Sequence, residues 1–130
     1  MSTEHPPKGK RGLQRIVNAA GYSVRGLQAA WAHESAFRQE VALAVFMLPA
    51  ALWVGTNWVE RALLIGTVVL VLAVELVNSA VEAAVDRVSF ELHPLAGRAK
   101  DMGSAAVLLT LLLCGLTWAA AVWARWFSSP

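Results

Sequence analysis

The chain has 130 residues, room for one domain, and 57% of them are hydrophobic while only 15% are charged. That balance argues against an ordinary soluble domain of this size. The net charge of +2 is carried by basic residues that alternate along the chain rather than massing in one patch, which argues against a nucleic-acid-binding surface.

The chain opens with residues 1–12, MSTEHPPKGKRG, which are polar and rich in Pro and Gly. No apolar core follows closely enough for a signal peptide, so this stretch reads as a disordered tail. Residues 13–130 read as a single membrane domain. Over Leu13–His33, apolar residues fall at Leu13, Ile16, Val17, Ala20, Val24, Leu27 and Trp31, which is helical spacing. Arg15, Asn18, Tyr22 and Arg25 take the opposite face, so an amphipathic helix lying in the membrane interface is expected. Gly21 and Gly26 weaken its interior.

The first span is expected over 36–55. Val41–Gly55 is apolar but reaches only about 22 Å, against about 30 Å of hydrocarbon. It borrows length from Ala36–Glu40, whose long side chains can snorkel to the interface. Pro49 predicts a kink or a rearranged turn. A hairpin at Thr56–Arg61 leads to a second span over 62–86. The third, over 103–126, is the clearest, because Gly103–Ala124 contains no charged residue. Its single cysteine, Cys114, reads as a packing residue, and no disulfide framework exists.

Nine of the eleven Lys and Arg lie before residue 41 or between Asp86 and Asp101. The positive-inside rule then places the N-terminus and the second loop in the cytoplasm and the C-terminus outside. Trp53, Trp58, Trp118, Trp123 and Trp126 lie toward the outer ends of the spans and Trp31 marks the inner interface, as in an aromatic belt.

The second span carries the chemistry. Glu75, Asn78, Glu82 and Asp86 follow one another at helical spacing, so all four share one narrow face. Carboxylates within a span cost several kcal/mol and mark functional paths. Interhelical bonding is an equally good account of Asp86, beside Arg87, but a poor one of the deeper Glu75, where Ser or Thr would serve at lower cost. The following loop, DRVSFELHPLAGRAKDMGS, concentrates Asp86, Arg87, Glu91, His93, Arg98, Lys100 and Asp101. Basic residues beside carboxylates suit a polyanionic ligand held with a divalent cation. Glu34 and Glu82, at similar depth near the inner interface, could form the metal pair. His93 alone is more often a hydrogen-bonding residue than a ligand. No Walker or GxGxxG loop is present.

The strings RIVNAAGYS (15–23), GLQAAWAHESAFRQE (26–40), VELVNSAVEAAVDR (74–87) and GRAKDMGSAAVLL (97–109) resemble the bacterial diacylglycerol kinase family over about residues 13–127. The resemblance implies an all-α, homotrimeric inner-membrane enzyme with a surface helix and three spans. It would move the γ-phosphoryl group of ATP, with Mg2+, onto diacylglycerol to give phosphatidic acid. Position by position, Glu75 resembles the family's general base, and Glu34 and Glu82 its metal ligands. Arg15, Tyr22, Glu34, Asn78, Glu82, Glu91, Leu92, His93, Lys100 and Asp101 match positions around ATP. The lipid positions match Arg15, Ala19, Ala20, Gly21, Tyr22, Ser23, Trp31, Ala36, Phe37, Arg38, Gln39, Glu40, Glu75, Ser104 and Trp118. The sequence departs from its relatives at Val24 and Gln28. Three other readings stay open: the same reaction on undecaprenol, a small proton or ion channel subunit, and a structural subunit without activity.

Overall fold

The computed structural model describes residues 8–88 and 93–128. They form four helices: α1 (Lys8–His33), α2 (Ser35–Val54), α3 (Trp58–Val88) and α4 (Pro94–Trp126). α2, α3 and α4 are long and apolar enough to cross a membrane. α1 begins at Lys8, inside the stretch read from sequence as tail, and continues through Gly21 and Gly26. α3 and α4 both extend beyond the expected spans, because a helix does not stop where the hydrocarbon does.

α3 is the hub. It packs most extensively on α4, then on α2, while α2 and α4 barely meet and α1 rests lightly on α2 and α3. The core has two small layers. Ala44, Val68, Val71 and Cys114 form one, with Met47, Leu48 and Leu72 around it. Ala51, Val54 and Leu64 form the other, flanked by Ile65, Ala121 and Val122. Alanines at the α2–α3 contact let the backbones approach closely, the usual solution where lipid removes any hydrophobic drive between helices. Cys114 is indeed a packing residue, buried and free.

Trp118 joins both layers. Its indole Nε1–H donates to the Leu64 carbonyl of α3 at 3.2 Å, and Thr67 Oγ1 donates to the same oxygen at 3.0 Å. A buried indole N–H needs such a partner.

The hairpin between α2 and α3 is built from reciprocal caps. Asn57 Oδ1 accepts from the Glu60 backbone N–H at 2.9 Å. The Glu60 carboxylate accepts in turn from Thr56 N–H at 2.8 Å and from the Thr56 hydroxyl at 2.7 Å. These bonds start α3 at Trp58, ahead of the first apolar run. Arg61 reaches back to the Leu52 carbonyl at 3.2 Å and closes the end of α2. Gly55 is required there for space, since a Cβ would stand 2.6 Å from Arg61 Cγ.

Toward the same end, Trp53 of α2 meets Trp126 of α4 with ring centroids 5.0 Å apart. Pro49 does not interrupt α2. Its missing N–H leaves the Val45 carbonyl without its usual donor. Most remaining apolar surface faces outward: Phe46 is 77% exposed and Leu116 71%. A soluble chain rarely shows so much; on helices long and apolar enough to cross a membrane it suits an apolar surrounding.

Candidate active site

The polar face of α3 is where the fold buries its most costly groups. Glu75 is 6% exposed and Asn78 8%, while Glu82 and Asp86, one and two turns beyond Asn78 toward the C-terminal end of α3, are half-buried. Asn78 Nδ2 donates to Glu82 Oε1 at 3.4 Å. Val68, Val71 and Leu64 sit above on the same buried side, so the face changes from apolar to acidic along one helix.

The break between α1 and α2 brings a second carboxylate to it. Glu34 stands at the N-cap of α2 with extended backbone (φ −116°, ψ 107°), yet its side chain makes no capping bond. The backbone is stitched without it: Glu34 N–H donates to Ala30 O at 2.9 Å and Arg38 N–H to Glu34 O at 3.2 Å. Arg38 turns back onto the end of α1, donating to the Trp31 carbonyl at 2.7 Å. Each device fixes the turn and leaves the Glu34 carboxylate uncommitted. The charges of Glu82 and Glu34 both act on Glu75, and that of Glu75 acts on Glu40. Glu40 has one carboxylate oxygen, Oε2, buried without a hydrogen-bond partner.

α4 supplies the cation. Lys100 Nζ bonds Asp86 Oδ1 at 2.6 Å and also lies within reach of the Glu82 charge. Asp86 is therefore tied to α4 rather than to its neighbour Arg87. His93 caps α4, its Nδ1 accepting from Leu95 N–H at 3.1 Å, with Pro94 opening the helix. Glu91 and Leu92 lie outside the described residues.

Other residues marked in the sequence gather less tightly. Arg15 and Tyr22 are exposed on α1, with the Arg25 guanidinium 5.0 Å from the Tyr22 ring centre. Ser23 donates to the Ala19 carbonyl of its own helix at 2.8 Å. Ala20, Gly21, Ala36, Gln39 and Asp101 are exposed, whereas Phe37 is buried. Ser104 is exposed beside Gly103, against which Asn78 packs. Trp118 is not brought to the acidic face: its partner Leu64 lies about 16 Å along α3 from Glu75 at 1.5 Å per residue.

Between α1 and α3 runs an apolar groove of about 700 Å³, lined by Ser23, Leu27, Ala30, Glu34, Leu76, Ser79 and Ala83 among others. Its α3 wall and the role of Gly103 escaped the sequence reading. The available signal was the small residues Ser79, Ala80 and Ala83 on one side of a span.

Among the described residues no three or more His, Cys, Asp or Glu side chains converge as a metal cage. Paired carboxylates beside a lysine, opening onto an apolar groove, instead suit a cation that takes its remaining ligands from a phosphorylated substrate. The family model described as prokaryotic diacylglycerol kinase matches residues 21–122. The chain is 49% identical over 114 residues to the diacylglycerol kinase of Escherichia coli K12, covering 88% of this chain and 93% of that protein. It is 54% identical, with the same coverage, to the diacylglycerol kinase of Pseudomonas aeruginosa. To that of Helicobacter pylori strain 26695 it is 48% identical over 115 residues, covering 88% of this chain and 89% of the relative. With a family model matching most of its length and relatives about half identical over 88% of it, the chain belongs to the prokaryotic diacylglycerol kinase family.

Proposed function

We propose that this protein phosphorylates diacylglycerol with ATP to give phosphatidic acid at the cytoplasmic face of the bacterial inner membrane. The observation that carries the reading is the acidic face of α3, with Glu75 buried two turns from the half-buried Glu82, in a chain about half identical to curated diacylglycerol kinases. Glu75 accepts the proton of the lipid hydroxyl as that oxygen attacks the γ-phosphorus, whose bond to the β,γ-bridging oxygen breaks so that ADP leaves. Glu34 and Glu82 would hold Mg2+; the uncommitted Glu34 carboxylate is what fits it for that role. When bound, the ion supplies charge neutralisation at the phosphates. Lys100 adds a fixed positive charge from α4, and Asn78 orients Glu82. Phosphoryl transfer needs little more than such positioning and neutralisation.

In this reading α1 lies in the inner interface. Its outward Leu13, Ile16 and Val17, each at least 60% exposed, enter the headgroup boundary, and Arg15 and Tyr22 face ATP. The groove beneath α1 admits the lipid. The chain assembles as a homotrimer: α4 buries only Cys114, and the half-open Glu34 and Glu82 need cover from a neighbouring copy. The N-terminus is cytoplasmic and the C-terminus periplasmic.

The test is direct. Purified protein in lipid–detergent micelles receives Mg2+, ATP labelled in its γ-phosphate, and either diacylglycerol or undecaprenol. Labelled phosphatidic acid is expected. Preferential labelling of undecaprenol would move the substrate to an isoprenoid alcohol. Proton flux in vesicles without any labelled lipid would make the protein a channel.

A further inference from the structure

Asn78 is buried, and the two ends of its amide meet different neighbours. Nδ2 donates to Glu82 Oε1. Oδ1 has no hydrogen-bond partner and is pressed against Gly103 of α4, where a Cβ would fall on top of Oδ1 and 3.2 Å from Cγ. Rotating the amide by half a turn would put its oxygen against the Glu82 carboxylate, so only one orientation is favourable. Two other α4 glycines, Gly97 and Gly115, have nothing within 4 Å of the same built atom. A glycine inside a helix is less favourable than an alanine. At Gly103 that cost is offset by room for one particular side chain.

We infer that Gly103 is a positioning residue for Glu82: by admitting the Asn78 amide oxygen it holds the amide with its N–H2 end on the Glu82 carboxylate. The inference rests on the reading of Glu82 as a metal-holding carboxylate. Gly103→Ala forces Asn78 out of this rotamer, and Glu82 loses its donor. Groups that orient metal-holding carboxylates are worth roughly 10–100-fold in metal affinity.

The experiment is a double-mutant cycle on Asn78→Ala and Gly103→Ala in the full chain, with two readouts. The first is the rise in thermal midpoint produced by Mg2+ with a non-hydrolysable ATP analogue, which needs no turnover. The second is the Mg2+ concentration giving half-maximal activity. Each single variant is expected to raise both Mg2+ requirements roughly 10-fold. The double variant is expected to match Asn78→Ala alone, because removing the amide empties the space that the added methyl of Gly103→Ala would contest. Equal losses from Gly103→Ala in both backgrounds, or a lower thermal midpoint with an unchanged Mg2+ requirement, would show that Gly103 serves helix packing only. Should Gly103→Ala fail to assemble, the double variant is expected to be rescued, and its failure too would overturn the inference. If the unmodified protein binds Mg2+ and the analogue yet phosphorylates no lipid, the proposed function falls while the cycle is still read from the midpoints.

Discussion

Glu34 and His93 stand at the same place in two helices, the N-cap, and use it in opposite ways. His93 commits its Nδ1 to the Leu95 N–H, whereas Glu34 leaves its carboxylate free. A capping position filled by a residue poor at capping, whose side chain does not cap, is a site held for something else. Glu34→Gln and Glu82→Gln are therefore expected to keep the thermal midpoint near wild type while raising the Mg2+ requirement of the kinase reaction about 10-fold or more. Titrating Mg2+ at saturating ATP checks this, and an unchanged requirement in both folded variants would remove them as metal ligands. His93→Ala should instead lower the midpoint, with His93→Asn, which can cap, restoring it. At this scale the acidic face was legible in the sequence because Glu75, Asn78, Glu82 and Asp86 recur at helical spacing. Gly103 was not, because its purpose lies in a side chain from another helix, 25 residues away in the chain. Nor was the ion pair of Asp86 with Lys100, since the sequence offered Arg87 as the nearer partner.

Among the elements, α3 shows how polar groups are tolerated in a span. Its N-terminal half packs through Leu64, Thr67, Val68 and Val71, and Thr67 returns its hydroxyl to its own backbone. Trp118 clamps that half to α4. Trp118→Phe keeps most of the ring and loses the N–H, so it is expected to cost about 0.5–1.5 kcal/mol of stability and to leave the lipid KM unchanged. Unfolding in detergent checks the first and steady-state kinetics the second; a large rise in KM would place the indole at the lipid. The existence of three spans was legible from apolar length, the first only once the snorkelling flank Ala36–Glu40 was added, but their ends were not. Capping by Asn57 and Glu60 starts α3 before its apolar run, and the His93–Pro94 pair starts α4 well before Gly103. Capping chemistry, not hydropathy, sets where a helix begins.

For the whole molecule, one chain is an incomplete enclosure. α4 is covered by α3 along one side only, and the groove under α1 is open. Association of copies would complete it, so cross-linking in native membranes is expected to yield dimers and trimers and nothing larger. Orientation is tested by single cysteines at Ser2 and Ser129 in a Cys114→Ala background: an impermeant reagent added to intact cells after outer-membrane permeabilisation should label 129 and spare 2. Labelling of both would mean that one span does not cross. Most decisive is the turnover of Glu75→Gln, measured beside wild type on diacylglycerol with saturating Mg2+ and ATP. Gln is nearly isosteric but cannot take the hydroxyl proton. The variant should assemble and bind nucleotide normally while kcat falls by about 10²–10⁴-fold. A folded, nucleotide-binding Glu75→Gln protein with near-wild-type kcat would contradict the assignment and leave Glu75 a structural acid.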